Sequence, residues 1–65
     1  NSVIFTDVTI EKGAEVKDSV VMPNVVIEEG AEVRRVIIAE GVRIGKGVKL
    51  GSKDGEIELI AQDRL

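Results

Sequence analysis

The residues that could carry chemistry in this chain are carboxylates, cations and glycines, because histidine and cysteine are both absent. Their absence excludes imidazole bases, thiol nucleophiles, disulfides and Cys/His zinc sites. Adjacent carboxylates such as Glu28 and Glu29 could form an acid/base pair, but the pattern places them on solvated faces, where nothing apolar raises a pKa. Surface charge is the favoured interpretation.

Two further groups of residues suggest anion binding. Gly45, Lys46 and Gly47 resemble part of a phosphate-binding loop, but the GxxxxGK[ST] pattern is absent, and turns explain these glycines better. The cations that could hold an anion are Arg34, Arg35, Arg43 and Lys46. A solvated basic patch is the favoured alternative.

The composition describes one small domain of 65 residues with a net charge of -3. Basic residues are scattered, and Phe5 is the only aromatic residue, so no nucleic-acid partner is expected. The apolar runs are too short for a membrane span or a signal peptide. The lack of cysteine fits a cytoplasmic location, and the start at Asn1 without methionine suggests a fragment of a longer protein.

An internal repeat of 17 residues decides the predicted fold. Residues 2–18 read SVIFTDVTIEKGAEVKD, residues 19–35 read SVVMPNVVIEEGAEVRR, and residues 36–52 read VIIAEGVRIGKGVKLGS. The first two blocks share nine of 17 residues, and the third keeps the valine, isoleucine and glycine columns. One structural unit is therefore expected to occur about three times.

Large aliphatic residues recur within each block at steps of six, six and five. A helix needs steps of three and four, and a hairpin sheet needs frequent turn pairs, so neither fits. Three short strands per block, each with one inward aliphatic, close a triangular coil whose backbone pairs with neighbouring coils. The pattern predicts an all-β, single-stranded parallel β-helix over residues 1–52, with nine inward residues: Ile4, Ile10, Val16, Val21, Ile27, Val33, Ile38, Ile44 and Leu50.

Two columns of residues mark predicted corners, where the backbone needs positive φ. One column contains Gly13, Gly30 and Gly47, and the other contains Asp7, Asn24 and Gly41. The remaining residues, 53–65, break the period and are predicted to form a C-terminal turn and strand that cap the coils. Lys53-Asp54-Gly55 is the turn signal, and Glu56-Ile57-Glu58-Leu59 alternates like a strand across or beside the last coil.

The residues that flank the inward aliphatics differ between the three faces. Two faces carry charged flanking residues, whereas the third carries only apolar ones: Val3, Phe5, Val20, Met22, Ile37 and Ala39. An exposed apolar strip usually marks a contact surface, so we expect another domain or subunit to pack here. The alternative is coverage by Ile57, Leu59 and Ile60 of the chain's own tail.

The six-residue rhythm resembles the hexapeptide repeat of left-handed β-helices, and the left hand is implied by that resemblance alone. Two large families use this coil: acyltransferases, which rely on a histidine that is absent here, and sugar-nucleotide pyrophosphorylases. The segments NSVIF, KDSVVMPNVVI and IELIA resemble the C-terminal β-helix of bacterial glucose-1-phosphate adenylyltransferases (ADP-glucose pyrophosphorylases), across essentially the whole chain. Mannose-1-phosphate guanylyltransferases and other sugar-phosphate nucleotidyltransferases carry similar coils.

The resemblance implies a parent enzyme that makes ADP-glucose and pyrophosphate from ATP and glucose 1-phosphate, with magnesium, for glycogen biosynthesis. Catalysis would belong to an N-terminal domain, so no catalytic, cofactor-binding or metal residue is implied in this chain. The β-helix would pack on that domain, help to form a homotetramer and frame an allosteric effector site in many members.

Arg64 is the one residue matched to such an effector contact, since Glu40 and Gln62 stand where strongly regulated relatives have arginines. A stand-alone assembly module and an acyltransferase fragment remain the alternatives.

Overall fold

The computed structural model describes residues 2–51 and 56–64, which form ten short β-strands and no helix. The strands are β1 (Val3–Ile4), β2 (Thr9–Ile10), β3 (Glu15–Lys17), β4 (Val20–Val21), β5 (Val26–Ile27), β6 (Glu32–Arg34), β7 (Val36–Ile38), β8 (Arg43–Ile44), β9 (Lys49–Leu50) and β10 (Glu58–Ile60). These residues accordingly contain no helix able to cross a membrane.

The strands stack into three parallel sheets. Sheet A has the order β1-β4-β7-β10, sheet B the order β2-β5-β8, and sheet C the order β3-β6-β9. Paired residues lie one repeat apart, as Ile10 pairs with Ile27 and Ile27 with Ile44. The predicted parallel β-helix with a 17-residue repeat is therefore confirmed, whereas its left hand stays a prediction of the resemblance.

The three sheets share one apolar core. The inward residues of the second coil, and Ile38 and Ile44 of the third, are fully buried, as are Val25, Ala31 and Val36 at the corners. In contrast, Ile4 and Ile10 of the first coil are each 43% exposed. Within the described residues nothing pairs with the outer edges of β1 and β2. The nine inward aliphatic residues are thus unequally buried, because the first coil forms an open end of the stack.

The corners within the described residues contain residues with left-handed backbone. The two predicted columns are confirmed, with φ of 59° at Asp7 and 80° at Gly13, for example. A third column, which the sequence pattern did not indicate, has φ of 49° at Asp18 and 52° at Arg35. It lies between sheets C and A, where the step between inward aliphatics is five residues, and we call it the C–A corner.

A buried serine stabilises the C–A corner. Ser19 is 3% exposed, and its Oγ donates to the carbonyl oxygen of Lys17 at 2.8 Å while accepting from the Val36 N–H at 3.2 Å. Ser2 occupies the same position one coil earlier, where its Oγ accepts from the Ser19 N–H at 3.4 Å. At this corner the serine hydroxyls therefore accept hydrogen bonds from backbone N–H groups in place of backbone carbonyl oxygens.

The C-terminal tail begins a fourth turn. Strand β10 pairs in parallel with β7, which places Ile60 opposite Ile38 and fully buries it. The strand includes Ile60 and begins at Glu58, later than the alternating segment from Glu56, because pairing with β7 sets its position. Arg64 then forms a parallel bridge with Ile44 of sheet B. The expected Lys53-Asp54-Gly55 turn lies outside the described residues, and the domain boundary at 52/53 stays a prediction.

Candidate functional site

The six predicted contact residues lie together on the outer face of sheet A. Alternation along the strands turns Ile4, Val21, Ile38 and Ile60 inward and their neighbours outward. One outward column, in register, contains Val3, Val20, Ile37 and Leu59. The column that follows the strands contains Phe5, Met22 and Ala39, whose N–H groups donate to the next coil at 2.8–3.0 Å. We call these seven residues the apolar strip.

Much of the apolar strip is accessible to solvent. Leu59 is 63% exposed, Val3 55% and Phe5 45%, and the other four members are half-buried. Leu59 was expected either to cover the strip or to cap the coil. It lies in β10, the predicted C-terminal strand beside the last coil, and continues the outer column beside Ile37, so it extends the strip rather than covering it.

The outer face of sheet B carries an ion-paired cluster that joins the tail to the coil. Arg43 donates to Glu28, and this hydrogen bond, together with the charge of Glu28, raises the pKa of Arg43. The carboxylate of Asp63 accepts from the Arg43 N–H at 2.9 Å, and the Arg64 N–H donates to the Arg43 carbonyl at 2.8 Å. Glu28 is therefore ion-paired on the outer face of sheet B.

The candidate effector residue, Arg64, is positioned by its backbone. Besides the bond to Arg43, its carbonyl accepts from the Gly45 N–H, and its side chain is exposed. Arg64 therefore occupies the position of the first residue of a fourth strand on sheet B. The predicted effector contact of its side chain stays a prediction.

The outer face of sheet C is charged, and like charges stack on it. Glu15 pairs in register with Glu32, and Lys17 with Arg34. The carboxylate of Glu32 lies 3.7 Å from the Arg34 guanidinium and 3.6 Å from the Lys49 ammonium. Opposite charges from adjacent positions thus offset the like-charge columns.

The four suggested anion-binding cations do not form one cluster. Arg34 and Arg35 lie at the C-terminal end of β6 in sheet C, whereas Arg43 is paired with Glu28 on sheet B. Lys46 lies at the turn before Gly47, which has φ of 72°. Gly47 therefore acts as a corner residue, in agreement with the interpretation from sequence.

Across residues 2–51 and 56–64, no three Asp or Glu residues gather in a way that could hold a metal ion. In the same residues every buried side-chain nitrogen or oxygen has a hydrogen-bond partner, so none is aimed unpaired into a pocket.

Comparison with known proteins identifies a family for most of the chain. The family model described as "GlmU-like, C-terminal hexapeptide" matches residues 1–58, which include the three coils and the first residue of β10. Neither the curated proteins nor the solved structures give a match to the chain.

Proposed function

Since the chain belongs to the GlmU-like C-terminal hexapeptide family, a family of nucleotidyltransferase C-terminal domains, we propose that it is the docking and assembly domain of a sugar-phosphate nucleotidyltransferase. The parent that we favour is glucose-1-phosphate adenylyltransferase, because NSVIF, KDSVVMPNVVI and IELIA resemble its β-helix. In the cytoplasm, that enzyme would supply ADP-glucose for glycogen biosynthesis.

The apolar strip is the observation that carries this proposal. It spans all four strands of sheet A, which at a strand spacing of about 4.8 Å is roughly 14 Å of continuous apolar surface. The corresponding outward positions of sheets B and C include Arg43, Glu28, Glu32 and Lys49. Since large exposed apolar patches mark contact sites, the strip fits a protein partner on one side of the coil only.

The partners that we propose for the strip are the parent's own N-terminal catalytic domain and other subunits of a homotetramer. Both fit a coil that is charged on two faces and apolar on the third. Magnesium and ATP would bind to the catalytic domain, because the described residues offer no group of carboxylates that could hold the metal. The residues of this chain would then position the catalytic domain and the subunits and would not take part in the reaction itself.

A chimera tests the proposal directly. The 65-residue chain would replace the β-helix of a bacterial glucose-1-phosphate adenylyltransferase, and tetramer formation and pyrophosphate release would be measured. We expect the chimera to form tetramers and to recover activity above that of the truncated catalytic domain. An unassembled chimera with the activity of the truncated domain would contradict the proposal.

Two other functions remain as alternatives. The coil could belong to another sugar-phosphate nucleotidyltransferase, in which case a mannose-1-phosphate guanylyltransferase chimera would assemble better than the adenylyltransferase chimera. It could also be a stand-alone assembly module, which would form oligomers without either catalytic domain. Acyl transfer is disfavoured because the chain contains no histidine to act as the base.

A further inference from the structure

We propose that residues 58–64 act as a strap that couples the ion-paired cluster on sheet B to the apolar strip on sheet A. One end of the strap contains Leu59, an exposed member of the strip, and the other end is Arg64, which is bound to sheet B. The effect of the strap on docking rests on the proposed function, whereas the coupling of its two ends is a property of this chain.

The strap crosses from sheet A to sheet B with fewer residues than a coil uses. Ile60 is the register partner of Ile38, and Arg64 forms its bridge with Ile44. The four steps from 60 to 64 therefore correspond to the six steps from 38 to 44. Four extended residues span at most about 13–14 Å, and residues 61–63 include no positive φ, unlike the corner between sheets A and B in each coil. The strap therefore has less slack between its ends than a coil has.

The sheet A end of the strap is anchored by an apolar side chain. Ile60 is fully buried opposite Ile38, and its carbonyl oxygen accepts from the Ala39 N–H at 2.8 Å. Leu59, the preceding residue, faces outward and is 63% exposed. Because the two residues are adjacent in β10, any motion that lifts Ile60 from the coil also removes Leu59 from the strip.

The sheet B end is held by polar contacts with β8 and the residue after it. The Arg64 N–H donates to the Arg43 carbonyl at 2.8 Å, and the Arg64 carbonyl accepts from the Gly45 N–H. The Asp63 carboxylate accepts from the Arg43 N–H at 2.9 Å. Arg43 is itself ion-paired with Glu28 of the second coil, so the strap is bound to a residue that the coil holds in place. Since hydrogen bonds at an exposed site contribute little individually, this end is expected to open first.

The short span makes the two ends open and close as one unit. Once Ile60 is docked, Arg64 is confined near sheet B and binds there at a high effective concentration, and the bound Arg64 in turn limits the motion of Ile60. A partner that packs on Leu59 therefore stabilises the contacts of Arg64. By reciprocity, the contacts of Arg64 strengthen docking on the strip, so the ion-paired cluster tunes assembly from another face of the coil.

Native-state hydrogen exchange of the 65-residue chain tests the coupling without any partner. The Ala39 N–H reports on the sheet A end, because its acceptor is Ile60. A shortened chain that ends at Gln62 loses the three hydrogen bonds on sheet B but keeps all of β10. We expect the Ala39 N–H to exchange at least about tenfold faster in the shortened chain. An Ala39 N–H that exchanges at its original rate would overturn the coupling.

The reverse perturbation checks that the coupling runs in both directions. Ile60→Ala weakens the sheet A end, and we expect the Gly45 N–H, whose acceptor is Arg64, to exchange about tenfold faster or more. The Glu32 N–H, which donates to the third coil at 2.8 Å on sheet C, serves as the reference for the whole fold. An unchanged rate at Gly45, or an equal acceleration at Glu32, would refute a strap that opens as a separate unit.

A pair of carboxylate variants separates the Asp63 contact from general charge. Asp63→Ala removes one acceptor of the strap and should speed exchange of both reporter amides, those of Ala39 and Gly45, about three- to tenfold. Glu29→Ala removes the same charge at an exposed turn of the second coil and should leave both rates unchanged. Equal acceleration by Glu29→Ala would show that only net charge matters and would contradict the role of Asp63.

The link between the strap and assembly is measured in the adenylyltransferase chimera. With the shortened chain, the dissociation constant of the tetramer should rise in step with the fraction of open strap that exchange gives. An unchanged constant with an open strap would overturn the link to docking, while dissociation by Met22→Glu would still support docking through the strip. Failure of the unmodified chimera to assemble would contradict the proposed function and not the strap, which the exchange rates test on their own.

Discussion

Ile10 and Ile27 provide a matched pair for measuring what the coil contributes to stability. They are the same residue type in the same column of sheet B, paired with each other in register. Ile27 is fully buried between the first and third coils, whereas Ile10 is 43% exposed at the open end. Replacing each by alanine therefore changes the same atoms in two environments.

The expected losses follow from burial. Truncation of a fully buried isoleucine to alanine costs about 2–5 kcal/mol, because apolar contacts are lost and a cavity remains. At Ile10 part of the side chain is already in solvent and no enclosed cavity would form, so the loss should be about 1 kcal/mol. Domains of this size have a free energy of unfolding of roughly 3–10 kcal/mol, so Ile27→Ala would remove a large share of it.

The stability of both variants is measured by urea unfolding, followed by circular dichroism. We expect the transition midpoint of Ile27→Ala to fall at least twice as far as that of Ile10→Ala. Ile27→Asp, which buries an unpaired charge, should abolish the cooperative transition. Equal shifts for the two alanine variants would refute the inference that the second coil is central and the first is an open end.

Two further substitutions test individual contacts. Ser19→Ala should lower the free energy of unfolding by about 1–3 kcal/mol, because the buried Val36 N–H loses its acceptor, whereas Ser2→Ala on the exposed first coil should cost well under half as much. Similar losses in urea unfolding would contradict the role of the buried hydroxyl. Gly51→Ala should lower the melting temperature, because its φ is 145° and its added Cβ would lie 3.0 Å from the Arg34 carbonyl oxygen. An unchanged melting temperature would show that the chain can shift there at no cost.

The repeat predicted most of the fold because the packing is local and periodic. A step of six, six and five residues sets which side chains point inward, and parallel pairing then follows for every coil. The corner columns with glycine, asparagine and aspartate were visible for the same reason, since these residues adopt positive φ at low cost. Because successive side chains of a strand point to opposite faces, the six outward residues could also be placed on one face of the coil from the sequence alone.

Features that depend on the ends of the stack were harder to predict. Ile10 and Ile27 are the same residue type, so the sequence alone does not distinguish them. Ile10 is exposed because no described strand pairs with β2 on its outer side. In the tail, alternation indicates a strand, but only pairing with β7 decides that Ile60 is buried and Leu59 exposed. The third corner was missed because arginine at position 35 is an unusual residue for positive φ.

The grouping of the cations could not be read from the sequence. Arg34, Arg35 and Arg43 were all candidates, but Arg43 is paired with Glu28 on another face. Distances along the chain therefore did not give a cluster, because the stacking of coils decides which side chains are neighbours.

Sedimentation velocity of the adenylyltransferase chimera tests the central claim, that the apolar strip is the docking surface. Met22→Glu places a charge on the strip, and Val26→Glu places the same charge on the outer face of sheet B. Both positions are outward-facing, half-buried and in the second coil. We predict that Met22→Glu dissociates the tetramer while Val26→Glu leaves it assembled. A chimera in which both variants remain tetrameric, or in which Val26→Glu alone dissociates, would contradict docking through the strip.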